Sequence, residues 1–186
     1  MNKALLALAL AAGLAAGQAP SAALAALPVG STAPDFTAHA FLAGAPFDFH
    51  LAEALKSGPV VLYFFPAAHT QGCNIEAHLF AQAVDTFKAE GATVIGVTAG
   101  KVDELAAFST ETEHCSGKFP VAADPGAKIG QTYQSSLAMM PSLTDRTSYV
   151  ITPDDKVLFA YSDLNPSDHV RKTLDALSKW RASHPK

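Results

Sequence analysis

An α/β domain with a central mixed sheet flanked by helices is what the sequence predicts, on three observations. Two near-continuous apolar runs, at 60–65 and 93–97, read as strands buried on both faces. A helical pattern separates them, as a parallel β-α-β unit requires. A strand–turn–strand pattern and then an amphipathic pattern follow, adding an antiparallel pair and a covering helix.

The elements follow in order. Val60-Val61-Leu62-Tyr63-Phe64-Phe65 runs between Pro59 and Pro66 and predicts the central strand. Ile75, Leu79, Phe80, Ala83, Val84 and Phe87 recur at helical spacing and Gly91 stops the run, so a helix is expected over 73–90. Thr93-Val94-Ile95-Gly96-Val97 is the second buried strand, and Val102, Leu105 and Phe108 suggest another helix. Phe119-Pro120-Val121-Ala122 begins a short extended piece that ends at the Asp124-Pro125 turn. Ser148-Tyr149-Val150-Ile151 and Val157-Leu158-Phe159-Ala160-Tyr161 flank Pro153-Asp154-Asp155-Lys156 as a hairpin. A last helix starts near Pro166-Ser167 and carries Val170, Leu174, Leu177 and Trp180 on one face. This order is the thioredoxin-like plan. Residues 26–35, punctuated by Pro28, Gly30 and Pro34, read as a linker.

Composition narrows the function. The 186 residues are 49% hydrophobic and 16% charged, which suits one ordinary domain. The net charge is −4 and Lys and Arg are scattered, which argues against nucleic acid as a partner. Two Cys are too few for a disulfide scaffold or a four-Cys zinc site. They can form one disulfide, one redox pair, or two unrelated buried thiols.

Residues 1–25 read as an export signal. Lys3 supplies the positive charge, and residues 4–16 are uninterrupted small or apolar residues. Thirteen such residues are too short to span a hydrocarbon core, which takes about 20. Ala23-Leu24-Ala25 fits a small-x-small cleavage site that leaves Ala26 first, so the mature domain is 26–186. The expected location is the periplasm, where disulfides persist, with no membrane attachment after cleavage.

Cys73 is expected where the central strand hands over to the helix. Sites in α/β folds gather at the C-terminal ends of parallel strands, and a helix N-terminus stabilises an anion. A thiol there becomes a thiolate more readily. Thr70 can aim a hydroxyl at the sulfur or at a bound substrate, and Pro66 can shield the sulfur from water. Glu76, one turn after Cys73, is better placed to position an Arg than to touch sulfur. Arg146 is the best cation on offer, because it immediately precedes a strand expected beside the central one. These local arguments leave two readings of Cys73, a reactive thiol or a buried structural one.

Pro66-Ala67-Ala68-His69-Thr70-Gln71-Gly72-Cys73 resembles the Pro-x-x-x-Thr-x-x-Cys signature of the peroxiredoxins. Cys73-Asn74-Ile75-Glu76 is similar to the Cys-x-x-Glu of the bacterioferritin-comigratory, or Q-type, subgroup. Gly30-Ser31-Thr32-Ala33-Pro34-Asp35-Phe36, the segment 119–125 and the Arg-bearing 145–151 resemble further family segments, in the same order along the chain. The resemblance implies a thiol peroxidase acting on hydrogen peroxide and organic hydroperoxides, with no cofactor and no metal. It makes Cys73 the peroxidatic Cys, with Thr70 and Arg146 holding the peroxide, Pro66 shielding and Glu76 orienting Arg146. The sequence departs from the pattern at His78, where many Q-type members carry a second Cys, and at Gln71, often Pro in the family.

Cys115 lies 42 residues after Cys73, expected near the end of the helix that follows the second strand. Resolving Cys residues of this subgroup occur in that region, so the resemblance implies that Cys115 attacks oxidised Cys73. A disulfide needs Cα atoms within about 7 Å, so one or both segments must first unfold locally. The alternative is a bystander, with an outside thiol resolving Cys73. The expected partners are a peroxide and a thiol reductant, either a thioredoxin-like protein or a small thiol, with the chain a monomer or homodimer.

His50, His69, His78 and His114 invite a metal reading with the two Cys, but their spacing is not that of a zinc or copper motif. A thiol–disulfide oxidoreductase of the same fold needs Cys-x-x-Cys, and that position is Glu76. A copper chaperone usually carries Cys-x-x-x-Cys, and that position is Ala77.

Overall fold

The computed structural model describes residues 26–185. The leader predicted at 1–25 lies outside the described residues.

The central strand is β3 (Val60–Phe64), and every residue of it is buried. Successive side chains alternate between faces. Val61 and Tyr63 enter one core and Val60, Leu62 and Phe64 the other. Strand β4 (Thr93–Thr98) and then β5 (Val121–Ala123) join β3 in parallel. On the other side β8 (Thr147–Ile151) and β9 (Val157–Ser162) join antiparallel, as the predicted hairpin.

The sheet extends further than the sequence pattern indicates. Strands β1 (Thr37–Leu42) and β2 (Ala45–His50) form a hairpin that adds to β5, giving the order β2-β1-β5-β4-β3-β8-β9. Its turn uses Ala43 and Gly44, both with positive φ (49° and 79°). That is the backbone of a tight hairpin turn, made without the Asn-Gly pair that advertises one. The inward residues of β1 are Ala38 and Ala40, too small to register as apolar alternation. Strands β6 (Ser136–Leu137) and β7 (Met140–Thr144) form a separate small pair.

Helix α2 (Gln71–Ala89) and helix α5 (His169–Ser183) pack against each other, and α5 also packs on β8 and β9. Short helices α1 (Leu51–Leu55) and α4 (Lys128–Thr132) contribute Leu51, Leu55 and Ile129 to the opposite core. Helix α3 (Leu105–Thr110) brings Leu105 and Phe108 into the α2 core. This is the expected thioredoxin-like arrangement.

Three expectations need correction. Residues 26–35 are no linker. Ala33 is buried, Leu27 N–H donates to the Tyr149 hydroxyl at 3.1 Å, and Gly30 N–H donates to the Val157 carbonyl at 2.8 Å. The helix expected from 73 starts at Gln71, because Thr70 with extended backbone is its N-cap. Cys115 is not near a helix end. Helix α3 stops at Thr110, and Cys115 sits in a series of tight turns at 111–118.

Candidate active site

Thr70 caps α2, so Cys73 is third in the helix, within the turn whose N–H groups lack helical partners. A Thr at this cap usually accepts one of those N–H groups. Here the Thr70 hydroxyl instead donates to the Ala67 carbonyl at 3.0 Å. The first turn of α2 therefore keeps its donors free beside the sulfur. The loop before it is pressed on the sheet, where Ala67 bridges Gly100. A Cβ at Gly100 would lie 2.3 Å from the Pro66 carbonyl oxygen, so only Gly permits that approach.

Cys73 is 1% exposed. Arg146 leaves the Asp145–Arg146 corner ahead of β8 and reaches across to it. Arg146 Nη2 donates to Cys73 Sγ at 3.5 Å, Nη1 donates to Glu76 Oε2, and Nε donates to the Leu164 carbonyl at 2.9 Å. All three nitrogens of the guanidinium are thereby held, which fixes its plane. Gly72 makes room for it, since a Cβ there would lie 3.0 Å from Arg146 Nη2.

Glu76 is fully buried. Burial pushes its carboxyl up to about 8, against the pull of Arg146. For Arg146, burial disfavours the charge, but Glu76 and the Cys73 sulfur outweigh it and raise its pKa.

Sequence reasoning missed His169, the first residue of α5. It is fully buried behind Glu76, with Nδ1 3.5 Å from Glu76 Oε1. Its Nε2–H donates to the Asp163 carbonyl at 2.9 Å, and its Nδ1 accepts from the Ser148 hydroxyl at 2.8 Å. That pattern belongs to a neutral ring, and burial pulls its pKa down to about 4. His169 thus forms the floor on which the Glu76–Arg146 pair rests. No motif spacing signals it. Gly72 did carry a signal, a poor helix former placed inside the first turn of a helix.

The structure brings Cys73, Glu76 and Arg146 into direct contact. It leaves the Thr70 hydroxyl on Ala67, with Thr70 exposed, and Pro66 half-buried at the strand end. Cys115 is a free thiol, as is Cys73, and both belong to one hydrophobic core. Cys115 is 0% exposed. Burial pushes its thiol far up, and the Glu111 charge adds to the effect. The 111–118 turns are closed mostly by their own bonds, among them Ser116 N–H to the Glu111 carbonyl at 3.0 Å and the Ser116 hydroxyl to the Thr112 carbonyl at 2.7 Å. Ser116 and Gly117 both have positive φ (53° and 65°).

The AhpC/TSA family profile matches residues 29–160. Peroxiredoxin Q of the Sedum lineare chloroplast is 29% identical over 153 residues, which cover 82% of this chain and 78% of that protein. The chloroplast peroxiredoxin Q of Oryza sativa subsp. japonica is 30% identical over 123 residues, 66% of this chain and 55% of that protein. The crystal structure of peroxidoxin BcpB from Mycobacterium tuberculosis superposes with a TM-score of 0.71 at 28% identity, covering 81% of this chain and 96% of that one. A reduced 2-Cys peroxiredoxin of Plasmodium vivax shares the fold, with a TM-score of 0.74 at 19% identity over 85% of this chain and 99% of that one.

Proposed function

The chain belongs to the AhpC/TSA family and is a thiol-dependent peroxidase, and from that premise we propose a catalytic cycle that runs from Cys73 to Cys115. Its substrates are peroxides, hydrogen peroxide and organic hydroperoxides, and its electrons come from an outside thiol. The observation that carries the cycle is the Arg146 guanidinium, which donates to Cys73 Sγ through one nitrogen and to buried Glu76 through another.

In the first step the Cys73 thiolate attacks one peroxide oxygen in line with the O–O bond. The S–O bond forms, the O–O bond breaks, and the leaving oxygen takes a proton and departs as water or alcohol. Cys73 is left as a sulfenic acid. Arg146 and the free N–H groups of the α2 first turn face the oxygens on which negative charge develops. Thr70, once its hydroxyl turns from Ala67, adds a donor at the mouth of the site, and Pro66 limits water. Glu76 orients Arg146, with His169 behind it.

In the second step Cys115 sulfur attacks the Cys73 sulfur. The S–S bond forms, the S–O bond breaks, and the oxygen leaves as water with the Cys115 proton. A fully buried thiol with a raised pKa is a poor nucleophile. The 111–118 turns must therefore open before Cys115 can act, and their local bonding lets them do so without unmaking the sheet. A dithiol reductant, a thioredoxin-like protein or a small thiol, then returns both Cys to the reduced state. The leader-like composition of residues 1–25, one Lys and then an unbroken small and apolar run, supports a periplasmic site of action, where that reductant would also be found.

Rapid mixing of reduced protein with hydrogen peroxide tests the assignment of Cys73. The Cys73→Ser protein is expected to show no peroxide consumption, because a serine hydroxyl is not ionised at neutral pH. Consumption at the wild-type rate would place the chemistry elsewhere.

A further inference from the structure

His69 and His114 are far apart in sequence and flank the two Cys, one in the loop before Cys73 and the other next to Cys115. The fold brings them together on Glu111. One ligand atom from each of His69, Glu111 and His114 lies within 4.8 Å of the others. The two imidazole rings are 5.2 Å apart between centroids, and His114 is braced by stacking on Phe108 at 4.8 Å.

The hydrogen bonding singles out which atoms are free to ligate. His69 Nδ1 donates to Glu104 Oε2 at 2.6 Å. That bond leaves Nε2 as the His69 atom that faces Glu111, at hydrogen-bond distance from Oε2, 3.2 Å away; a cation bound there would take the place of the Nε2 proton. A carboxylate holding the far nitrogen of a histidine is also the outer-sphere partner that metal-bound imidazoles regularly have. His114 Nδ1 is 2.6 Å from the same Glu111 oxygen, yet it is buried and makes no hydrogen bond of acceptable geometry. Two atoms that converge on a third, rather than on each other, have this misalignment. The His114 side chain is only 9% exposed, so water does not satisfy that nitrogen instead.

We propose that His69 Nε2, Glu111 and His114 Nδ1 form a binding site for a divalent transition cation of the zinc class, clipping the Cys73 loop to the Cys115 turns. Two imidazoles and one carboxylate suit such a cation, with its fourth position open to water. Bonds of about 2.0–2.1 Å in a tetrahedral set place ligands roughly 3.4 Å apart; the Glu111 oxygen is now 3.2 Å from His69 Nε2 and 2.6 Å from His114 Nδ1, so it must draw back from His114. Glu111, with its side chain 44% exposed, is free to make the adjustment.

The consequence for turnover rests on the reading of Cys115 as the resolving thiol. Opening of the 111–118 turns separates His114 and Glu111 from His69. Bound cation therefore holds the turns closed, and disulfide formation expels it, by the same free energy in both directions. The site couples metal supply to how long oxidised Cys73 waits for Cys115.

The test uses zinc alone on the full chain with Cys73→Ser and Cys115→Ser, so that neither thiol can ligate. Calorimetric titration is expected to give one zinc per chain. Glu104→Gln, which removes only the outer partner, is expected to weaken binding about 10-fold, and Glu111→Gln by more. His114 packs on Phe108, so its removal endangers the fold; Glu111→Gln and His69→Gln, checked by circular dichroism, are the deciding variants. Absence of saturable binding, or affinity unchanged in both of those variants, overturns the site and leaves an ordinary histidine–carboxylate ion pair. Zinc is also expected to slow hydrogen exchange across 111–118; binding without that protection overturns the clip. If zinc binds and protects but the disulfide forms in the wild-type chain at an unchanged rate, the site stands and its coupling to turnover is overturned; if no Cys73–Cys115 disulfide forms with or without zinc, the site and clip stand and the role of Cys115 fails.

Discussion

Cys73 and Cys115 are buried alike, at 1% and 0% exposure, and share one hydrophobic core, but their electrostatic settings are opposite. Cys73 has a guanidinium nitrogen at 3.5 Å and the N-terminal turn of a 19-residue helix beneath it. Among the described residues no guanidinium is hydrogen-bonded to Cys115; burial and the Glu111 carboxylate both push its thiol up. The supports differ as well. Arg146 is tied to Glu76 and Leu164, and Glu76 is backed by His169, so three elements hold the Cys73 setting in place. The Cys115 setting is a string of local turns. In the proposed cycle one thiol is ready in the folded state and the other is kept inert until its segment opens.

The largest expected effect comes from replacing the fork that serves Cys73. Arg146→Lys keeps the charge but cannot donate in one plane to the sulfur, to Glu76 and to Leu164 together. The rate of peroxide reduction is expected to fall about 100-fold, equivalent to ~2.7 kcal/mol of barrier, within the range for removing one transition-state donor. Stopped-flow oxidation at limiting peroxide measures it, and a near-normal rate would break the contrast between the two Cys.

A smaller loss is expected from Gly72→Ala. The added methyl would sit 3.0 Å from Arg146 Nη2, so the guanidinium must shift by a few tenths of an ångström. Alanine favours the helix by roughly 1 kcal/mol over glycine, so stability is expected to hold or rise while the oxidation rate falls about 10-fold. A parallel loss of both in urea unfolding and kinetics would mean Gly72 serves packing and not Arg146.

The smallest effect concerns acid. His169 has its pKa lowered to about 4, chiefly by burial. Between that value and an ordinary histidine near 6.5, the unfolded chain binds a proton that the folded chain refuses. Stability therefore falls as pH drops through this window, by up to about 1.4 kcal/mol per pH unit from this group. Asp145, pushed up to about 6 by burial, and Glu76, pushed up to about 8, work in the opposite sense, since their folded forms take up a proton first. Comparing urea midpoints of wild type and His169→Asn across pH 4–6.5 separates His169 from those two carboxyls. The difference between wild type and variant is expected to shift against wild type as pH falls; a difference constant with pH would mean that His169 does not stay neutral in the Cys73 scaffold.

These contrasts were legible in the sequence to unequal degrees. The central strands were plain, because residues buried on both faces must be apolar throughout. Cys73 and Thr70 were legible from the strand-to-helix junction, and Arg146 from its place ahead of a strand expected beside β3. The N-terminal hairpin was not, because its inward residues are alanines and its turn uses Ala43 and Gly44. Cys115 was misplaced onto a helix because residues 111–118 have no periodicity, only turns. His169 and the His69–Glu111–His114 group depend on contacts between segments distant in the chain, which spacing cannot express.

The central claim is that Cys73 reacts from the folded state and Cys115 only after its turns open. Rapid mixing with a small excess of peroxide, quenched over time and read by mass spectrometry of both Cys, follows the two steps separately. Repeating it in increasing urea below the unfolding transition gives the surface each step exposes. The account predicts that the first oxidation holds or slows with urea, while disulfide formation accelerates, and that Cys115→Ser leaves the first step unchanged but accumulates sulfinic acid at Cys73. Disulfide formation that ignores urea, or equal overoxidation of wild type and Cys115→Ser, would contradict it.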